Sequence, residues 1–219
     1  MLFEEVKYLV SKDVRLELKQ RYAFNGILLY VVSTIFVCYL SFSRIIEGDT
    51  WNALFWIIML FAAVNAVSKS FVQESINRQL YYYTLASPQA IILSKVIYNT
   101  LLMWILSVLC LGVFSALMGS FITNYLLFTV ALLFGSMGFS AVLTMIAAIA
   151  SRTNNNFALM AILSFPILLP FLLVLMQVSN SAISGGTLEE NARYIAAVFV
   201  LDGIVIALAF VLFPYLWRD

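Results

Sequence analysis

The sequence has 219 residues, of which 63% are hydrophobic and only 11% are charged, and its formal net charge is +1. A soluble domain carries roughly 25% charged residues, so this chain lacks the polar groups that would cover a water-facing surface. The composition therefore excludes an ordinary soluble domain and predicts a protein whose surface faces lipid. A net charge this small gives no indication of a polyanionic partner.

Histidine is absent, and the two cysteines, Cys38 and Cys110, lie inside apolar runs. The absence of histidine removes the commonest metal ligand, the commonest acid–base group and the usual axial ligand of haem iron. We therefore expect no metal site and no directly bound cofactor. Both cysteines are interpreted as small buried hydrophobic residues rather than as a disulfide.

Residues 2–21 form the first predicted element, an amphipathic helix. Leu2, Val6 and Leu9 share one apolar side, while acidic and basic groups occupy the rest. Basic groups combined with apolar anchors are typical of a helix that lies in the membrane interface. The alternative is a solvated helix that packs on a partner. Because the segment is charged throughout, we do not expect a cleavable signal peptide.

Six apolar runs follow, each about as long as the roughly 20 residues that a helix needs to cross a bilayer. The predicted spans are Phe24–Ser43, Trp51–Ser68, Ala90–Met118, Tyr125–Ala150, Phe157–Ser179 and Tyr194–Trp217. The runs do not alternate as the strands of a transmembrane barrel do. We predict an all-α membrane protein, a single transmembrane domain (1–219) of six spanning helices preceded by the interfacial helix.

Lysine and arginine are distributed unevenly between the two sides of the predicted membrane. Ten of them fall on the side that holds both termini, and only Arg44 and Arg193 fall on the other side. Positive residues concentrate on the cytoplasmic side of membrane proteins. We therefore expect a multi-pass membrane protein with both termini in the cytoplasm. Residues 69–89 then form a cytoplasmic loop between the second and third spans.

Sequence motifs for catalysis are missing from the chain. It contains no G-x-x-x-x-G-K-[ST] loop for ATP, no G-x-S-x-G nucleophile elbow and no Cys/His cluster at metal-ligand spacing. A membrane enzyme is therefore disfavoured, and we expect a conduit or a scaffold. If the protein moves a substrate actively, the energy must come from another chain or from an ion gradient.

The cytoplasmic loop is the longest polar interruption of the apolar chain, and it is the first candidate functional region. Its charged, amide and apolar side chains suit a short helix that docks a separate ATPase; the alternative is a plain interfacial loop without a partner. The candidate coupling residues are Phe71, Glu74, Asn77, Arg78, Gln79 and Leu80.

Three further features lie inside the spans. Pro166 and Pro170 remove backbone donors from the fifth span, where they predict either a hinge or a static kink. Asp202 is the one acid deep in a span; it is either a functional group, as intramembrane acids usually are, or a packing residue that hydrogen-bonds a hydroxyl or an amide. Small residues such as Gly135 and Gly138 in the fourth span permit close helix approach, within the chain or between two copies.

Several of these segments together resemble a known family. In "FVQESINRQLYYYTLASPQAIILSKVIYN" the residues Leu85 and Pro88 fit the Leu-Pro-rich turn of the CcmB family, and Ala90, Leu93, Ser94 and Lys95 fit its A-x-x-L-[AS]-K entry to span three. "FALMAILSFPILLPFLL" resembles that family's L-P-x-x-x-P segment, and Arg152 fits its basic residue before span five. The loop departs from the family pattern, because Asn77-Arg78-Gln79-Leu80 stands where D-G-S-L is usual and Glu74 replaces the first acid.

The resemblance implies the membrane subunit of a type-2 ABC exporter in cytochrome c maturation, located in the bacterial inner membrane. It implies a CcmA-like ATPase partner that binds the ATP, CcmC-like and CcmD-like membrane proteins, a CcmE-like haem chaperone, two copies of this chain in the complex, and haem as cargo rather than as a resident cofactor. The alternatives are a generic type-2 permease for a lipid-linked or polysaccharide substrate, and a non-transporting scaffold of the haem-handling complex.

Overall fold

A computed structural model describes residues 2–19, 21–42, 47–72, 86–151 and 156–218. The helices in these ranges are α1 (Leu2–Lys19), α2 (Arg21–Ser41), α3 (Gly48–Val72), α4 (Pro88–Met118), α5 (Tyr125–Ala150), α6 (Asn156–Ile183) and α7 (Ala192–Arg218). No strand occurs in the described ranges. Helices α2 to α7 each hold a stretch long and apolar enough to cross a membrane, which confirms the prediction of an all-α membrane protein with six spans.

The helices extend beyond several of the predicted spans. Helix α3 begins at Gly48 and continues through Val72, and α6 runs from Asn156 to Ile183. A span predicted from a run of apolar residues ends at the first polar residues. The backbone hydrogen bonds of a helix continue through those residues wherever the helix protrudes from the apolar layer of the membrane. Helix α4 begins at Pro88, which occupies the first turn, where a missing N–H costs nothing. Helix α3 therefore ends at Val72, and α4 begins at Pro88.

Helix α5 is the centre of the bundle and contacts α3, α4, α6 and α7. The spanning stretches of α3 and α5 are 67% buried, against 17% for α2 and α7 at the rim. A Cβ atom at Gly135 would lie 2.8 Å from both Leu175 and Trp56. A Cβ atom at Gly138 would clash with the ring of Phe171 and with the carboxyl of Asp202. The small residues of the fourth span thus serve close packing within the chain.

Hydrogen bonds cross the apolar core between facing helices. Trp56 donates from Nε1 to Ser179 Oγ at 2.7 Å, and this hydroxyl donates to Asn52 Oδ1 at 2.7 Å, which joins α3 to α6. Asn99 Nδ2 donates to Thr144 Oγ1 at 2.9 Å, which joins α4 to α5. Such contacts contribute on the order of 1 kcal/mol each within a membrane. They fix the rotation of the helices, which apolar packing alone leaves less well defined.

The glycine contacts of α5 generate a prediction about packing. We expect Gly138→Ala to lower the free energy of unfolding by roughly 1–3 kcal/mol, because an added methyl group overpacks the contact with Phe171 and Asp202. The matched control is Gly203→Ala on α7, where a Cβ atom meets nothing within 4 Å. Thermal unfolding of the detergent-purified variants measures the difference. Equal melting temperatures for the two variants would contradict the close α5–α6–α7 contact.

Candidate functional site

The first helix docks along the start of α4 through three carboxylates. Glu5 Oε2 accepts hydrogen bonds from the N–H of Ser87 at 3.0 Å and from its hydroxyl at 2.8 Å. Asp13 Oδ2 lies 3.1 Å from Lys95 Nζ, and Glu17 Oε2 accepts from the Tyr98 hydroxyl at 3.1 Å. These residue pairs are separated by 82, 82 and 81 positions in the sequence. A nearly constant offset over three turns means that the two helices run side by side in the same direction.

The ion pair between Asp13 and Lys95 is the buried part of this contact. Both side chains are only 6% exposed, and Lys12 Nζ also lies 3.1 Å from Asp13 Oδ1. A charge taken out of water is stable only when a partner remains beside it. The carboxylate of Asp13 has two ammonium groups beside it, and the docked position of α1 keeps them together.

Glu5 binds Ser87, the residue directly before the first residue of α4. Ser87 is the N-cap residue of α4, but its hydroxyl donates to Glu5 instead of capping its own helix. The two hydrogen bonds from Ser87, the backbone one first, lower the pKa of Glu5 below its ordinary value. A lowered pKa in the folded state means that the contact adds stability at neutral pH and loses it as the pH falls through that lowered pKa. Glu5 therefore connects α1 to Ser87, at the N-terminal end of α4.

Basic side chains of α1 lie on the side that faces away from α4. Lys7, Arg15 and Lys19 line an outward groove together with Phe3 and Tyr8, whose side chains are exposed. Lys12 lines the same groove and also pairs with Asp13, so it connects the outward side of α1 with the side that contacts α4. The prediction of an amphipathic helix is confirmed, and its acidic contacts bind the protein's own third span.

The predicted coupling residues mostly fall outside the described ranges. Phe71 belongs to the last turn of α3, and the structure gives nothing on its side chain. The remaining members of the set, which lie outside the described residues, are Glu74, Asn77, Arg78, Gln79 and Leu80. Their role in docking an ATPase stays a prediction. The structure does describe both ends of their segment, at Val72 and at Ser87.

The prolines of the fifth span lie inside α6, and both are exposed at the outer side of the bundle. Pro166 supplies no N–H for the carbonyl of Ile162, one turn earlier, and Pro170 supplies none for Pro166. Helix α6 nevertheless continues through both positions from Asn156 to Ile183. Their role as a hinge or a static kink stays a prediction.

Asp202 is 1% exposed and lies against α5, where the absent side chain of Gly138 makes room for its carboxyl. Neither carboxyl oxygen has a hydrogen-bond partner among the described residues. The hydroxyl or amide partner expected for a packing residue is therefore not found in that part of the chain. The contact between Asp202 and Gly138 joins α7 to the central helix.

Sequence reasoning missed the docking of α1, although one signal was present. Lys95 is a charged residue within an apolar run, and such a residue requires a partner when it is buried. Asp13 lies among the other charged residues of the first helix, and a pair 82 positions apart leaves no local pattern in the sequence that would single it out. In the described residues no group of three or more Cys, Asp or Glu side chains is arranged to hold a metal ion.

The buried ion pair generates a prediction about the first helix. Asp13→Ala leaves Lys95 buried without its main counter-charge, which costs roughly 3–5 kcal/mol where no water can enter. We expect α1 to detach, so that limited proteolysis cleaves residues 2–19 much faster than in the unmodified chain. The double variant Asp13→Ala/Lys95→Met removes both charges and should recover most of the protection.

The control for this prediction is Glu4→Ala, because Glu4 lines the outward groove of the same helix. Protection of Asp13→Ala equal to that of Glu4→Ala would contradict a buried, stabilising ion pair.

The comparison with known proteins bears on the whole described fold. A family model described as "CcmB protein" matches residues 4–214. The matched range contains five spans whole, the sixth up to the residue before its end at Tyr215, nearly all of α1 and the residues that join α1 to α4. No curated protein matches the chain. Since the family model covers nearly the entire sequence, the chain belongs to the CcmB family.

Proposed function

We propose that this chain is the membrane subunit of an ABC-type complex that matures c-type cytochromes. In this role it couples ATP hydrolysis by a separate ATPase subunit to haem delivery or to release of a haem chaperone. The observation that carries the proposal is the family match over residues 4–214. The six membrane-spanning candidates agree with a permease subunit.

The contacts between α1 and α4 support a route for the coupling. The loop 69–89 would dock the ATPase, and α4 begins near its end, at Pro88. Glu5 holds Ser87, and Asp13 holds Lys95 two turns further along. A displacement of the loop would therefore move α1 and the first three turns of α4 (residues 88–98) together. We call this pair, residues 2–19 and 88–98, the α1–α4 arm.

The proposed complex contains several other proteins. A CcmA-like subunit would bind the ATP, CcmC-like and CcmD-like proteins would handle haem in the membrane, and a CcmE-like chaperone would receive it. Two copies of this chain would form the core of the complex. Both termini would lie in the cytoplasm of a bacterial cell, because ten of the twelve basic residues fall on that side.

Deletion of the chain from its host tests the proposal, with a haem-peroxidase stain of c-type cytochromes as the measurement. We expect the deletion to abolish covalently attached haem, the intact chain to restore it, and Glu74→Ala or Leu80→Ala to restore it poorly because the ATPase no longer docks. The control is Glu189→Ala, an exposed acid between α6 and α7.

Normal c-type cytochromes in a deletion host without a second copy would exclude the haem function and leave a generic permease. An inactive ATPase partner with full haem attachment would indicate a scaffold instead of a coupled subunit.

Asp202 generates a separate prediction about the spans. We expect Asp202→Asn to preserve the shape at Gly138 and to change the free energy of unfolding by less than about 1 kcal/mol, because no described residue hydrogen-bonds to either oxygen. Haem attachment should then stay at the wild-type level in the same stain. Loss of haem attachment in a variant of unchanged melting temperature would contradict a packing role and assign Asp202 a function in the transport step.

A further inference from the structure

A cleft of about 330 Å3 opens where α1, α2 and α4 meet. Its walls are almost entirely apolar and include Leu18 of α1, Phe24 of α2, and Leu102 and Ile105 of α4. Small-molecule sites have volumes of roughly 300–1,000 Å3 and combine apolar walls with a few polar groups. The cleft has this character, and it is separate from the proposed ATPase contact.

The position of the cleft in the chain places it at the edge of the membrane. Phe24 is the first residue of the first membrane-spanning stretch, and α1 ends at Lys19, shortly before it. Leu18 is 70% exposed and Ile105 is 54% exposed. Apolar side chains this exposed, Leu18 shortly before the span of α2 and Ile105 within the span of α4, meet lipid. The ligand that enters the cleft from this side is therefore a membrane component.

The polar end of the cleft carries a carboxylate. Glu17 lines the cleft and is half-buried, and its Oε2 accepts the hydrogen bond from the Tyr98 hydroxyl. Among the side chains that the structure describes, Glu17 forms no ion pair. Tyr98 fixes the carboxylate at the cleft and adds no positive charge. An anionic group at the rim of an apolar cleft attracts a cationic headgroup and repels an anionic one.

We propose that this cleft binds a phospholipid with a primary ammonium headgroup, of the phosphatidylethanolamine class. One acyl chain lies between Leu18, Phe24 and Ile105, and the ammonium group donates hydrogen bonds to the carboxylate of Glu17. A quaternary ammonium headgroup has no N–H to donate, and a glycerol headgroup has no positive charge. The headgroup chemistry therefore distinguishes phosphatidylethanolamine from both phosphatidylcholine and phosphatidylglycerol.

Lipid titration of the full-length, detergent-purified chain tests this proposal by native mass spectrometry. We expect phosphatidylethanolamine to bind about tenfold more tightly than phosphatidylglycerol or phosphatidylcholine, as hydrogen bonds to a charged group predict. Glu17→Gln retains an oxygen that accepts from Tyr98 but removes the charge, and it should abolish the preference. Ile105→Trp fills the cleft from an exposed position and should reduce the binding of all three lipids.

The matched control is Val108→Trp, which adds the same side chain at an exposed position of α4 that does not line the cleft. It should bind phosphatidylethanolamine as the unmodified chain does. Three results would overturn the proposal: equal affinities of the unmodified chain for the three lipids, a preference that survives in Glu17→Gln, or identical binding by Ile105→Trp and Val108→Trp. The last result would identify adventitious annular lipid only.

Discussion

The ion pair between Asp13 and Lys95 fixes the position of the first helix on the spanning bundle. Both side chains are buried, so water cannot replace either partner. Glu5 and Glu17 extend the same register on either side of the pair, towards the start of α4 and towards the lipid-facing cleft. The end of the proposed coupling loop near Ser87 and the acid of the cleft therefore belong to one body, the α1–α4 arm.

The arm is connected to the centre of the bundle by the residues that follow it in α4. Asn99 donates to Thr144, and Thr100 donates to Ser140, so that both contacts reach α5 within the apolar layer. Helix α5 in turn packs through Gly138 against Asp202 of α7. These contacts form a continuous set from Ser87 through α5 to α7, which α4 also contacts directly. A displacement at the loop would thus reach the central helix without passing through lipid-exposed side chains.

The number and type of the elements were predictable from the sequence, because each spanning helix requires a run of about 20 apolar residues. The sequence also predicted that Gly135 and Gly138 serve close packing. The contacts between Asp13 and Lys95 and between Gly138 and Asp202 were not predictable, because they join positions far apart in the chain and leave no periodic pattern. Some helices end later than the predicted spans, because polar residues continue the helix beyond the apolar layer. Helix α3, for example, continues past Ser68 to Val72. The departures of the loop from the family pattern, around Glu74 and Asn77, stay a matter for experiment.

A distance measurement between spin labels tests most directly whether the arm moves as one body. Labels at Phe3 of α1 and Ile97 of α4, both exposed and both within the arm, lie about 18 Å apart along the axis of α4 at about 1.5 Å per residue. The chain would carry alanine at Cys38 and Cys110 and would be assembled with its ATPase subunit. If α1 and α4 move together, the distance distribution is narrow and is the same with and without bound ATP. A broad distribution, or one that shifts when ATP binds, would show that α1 moves independently of α4 and would contradict the coupling route.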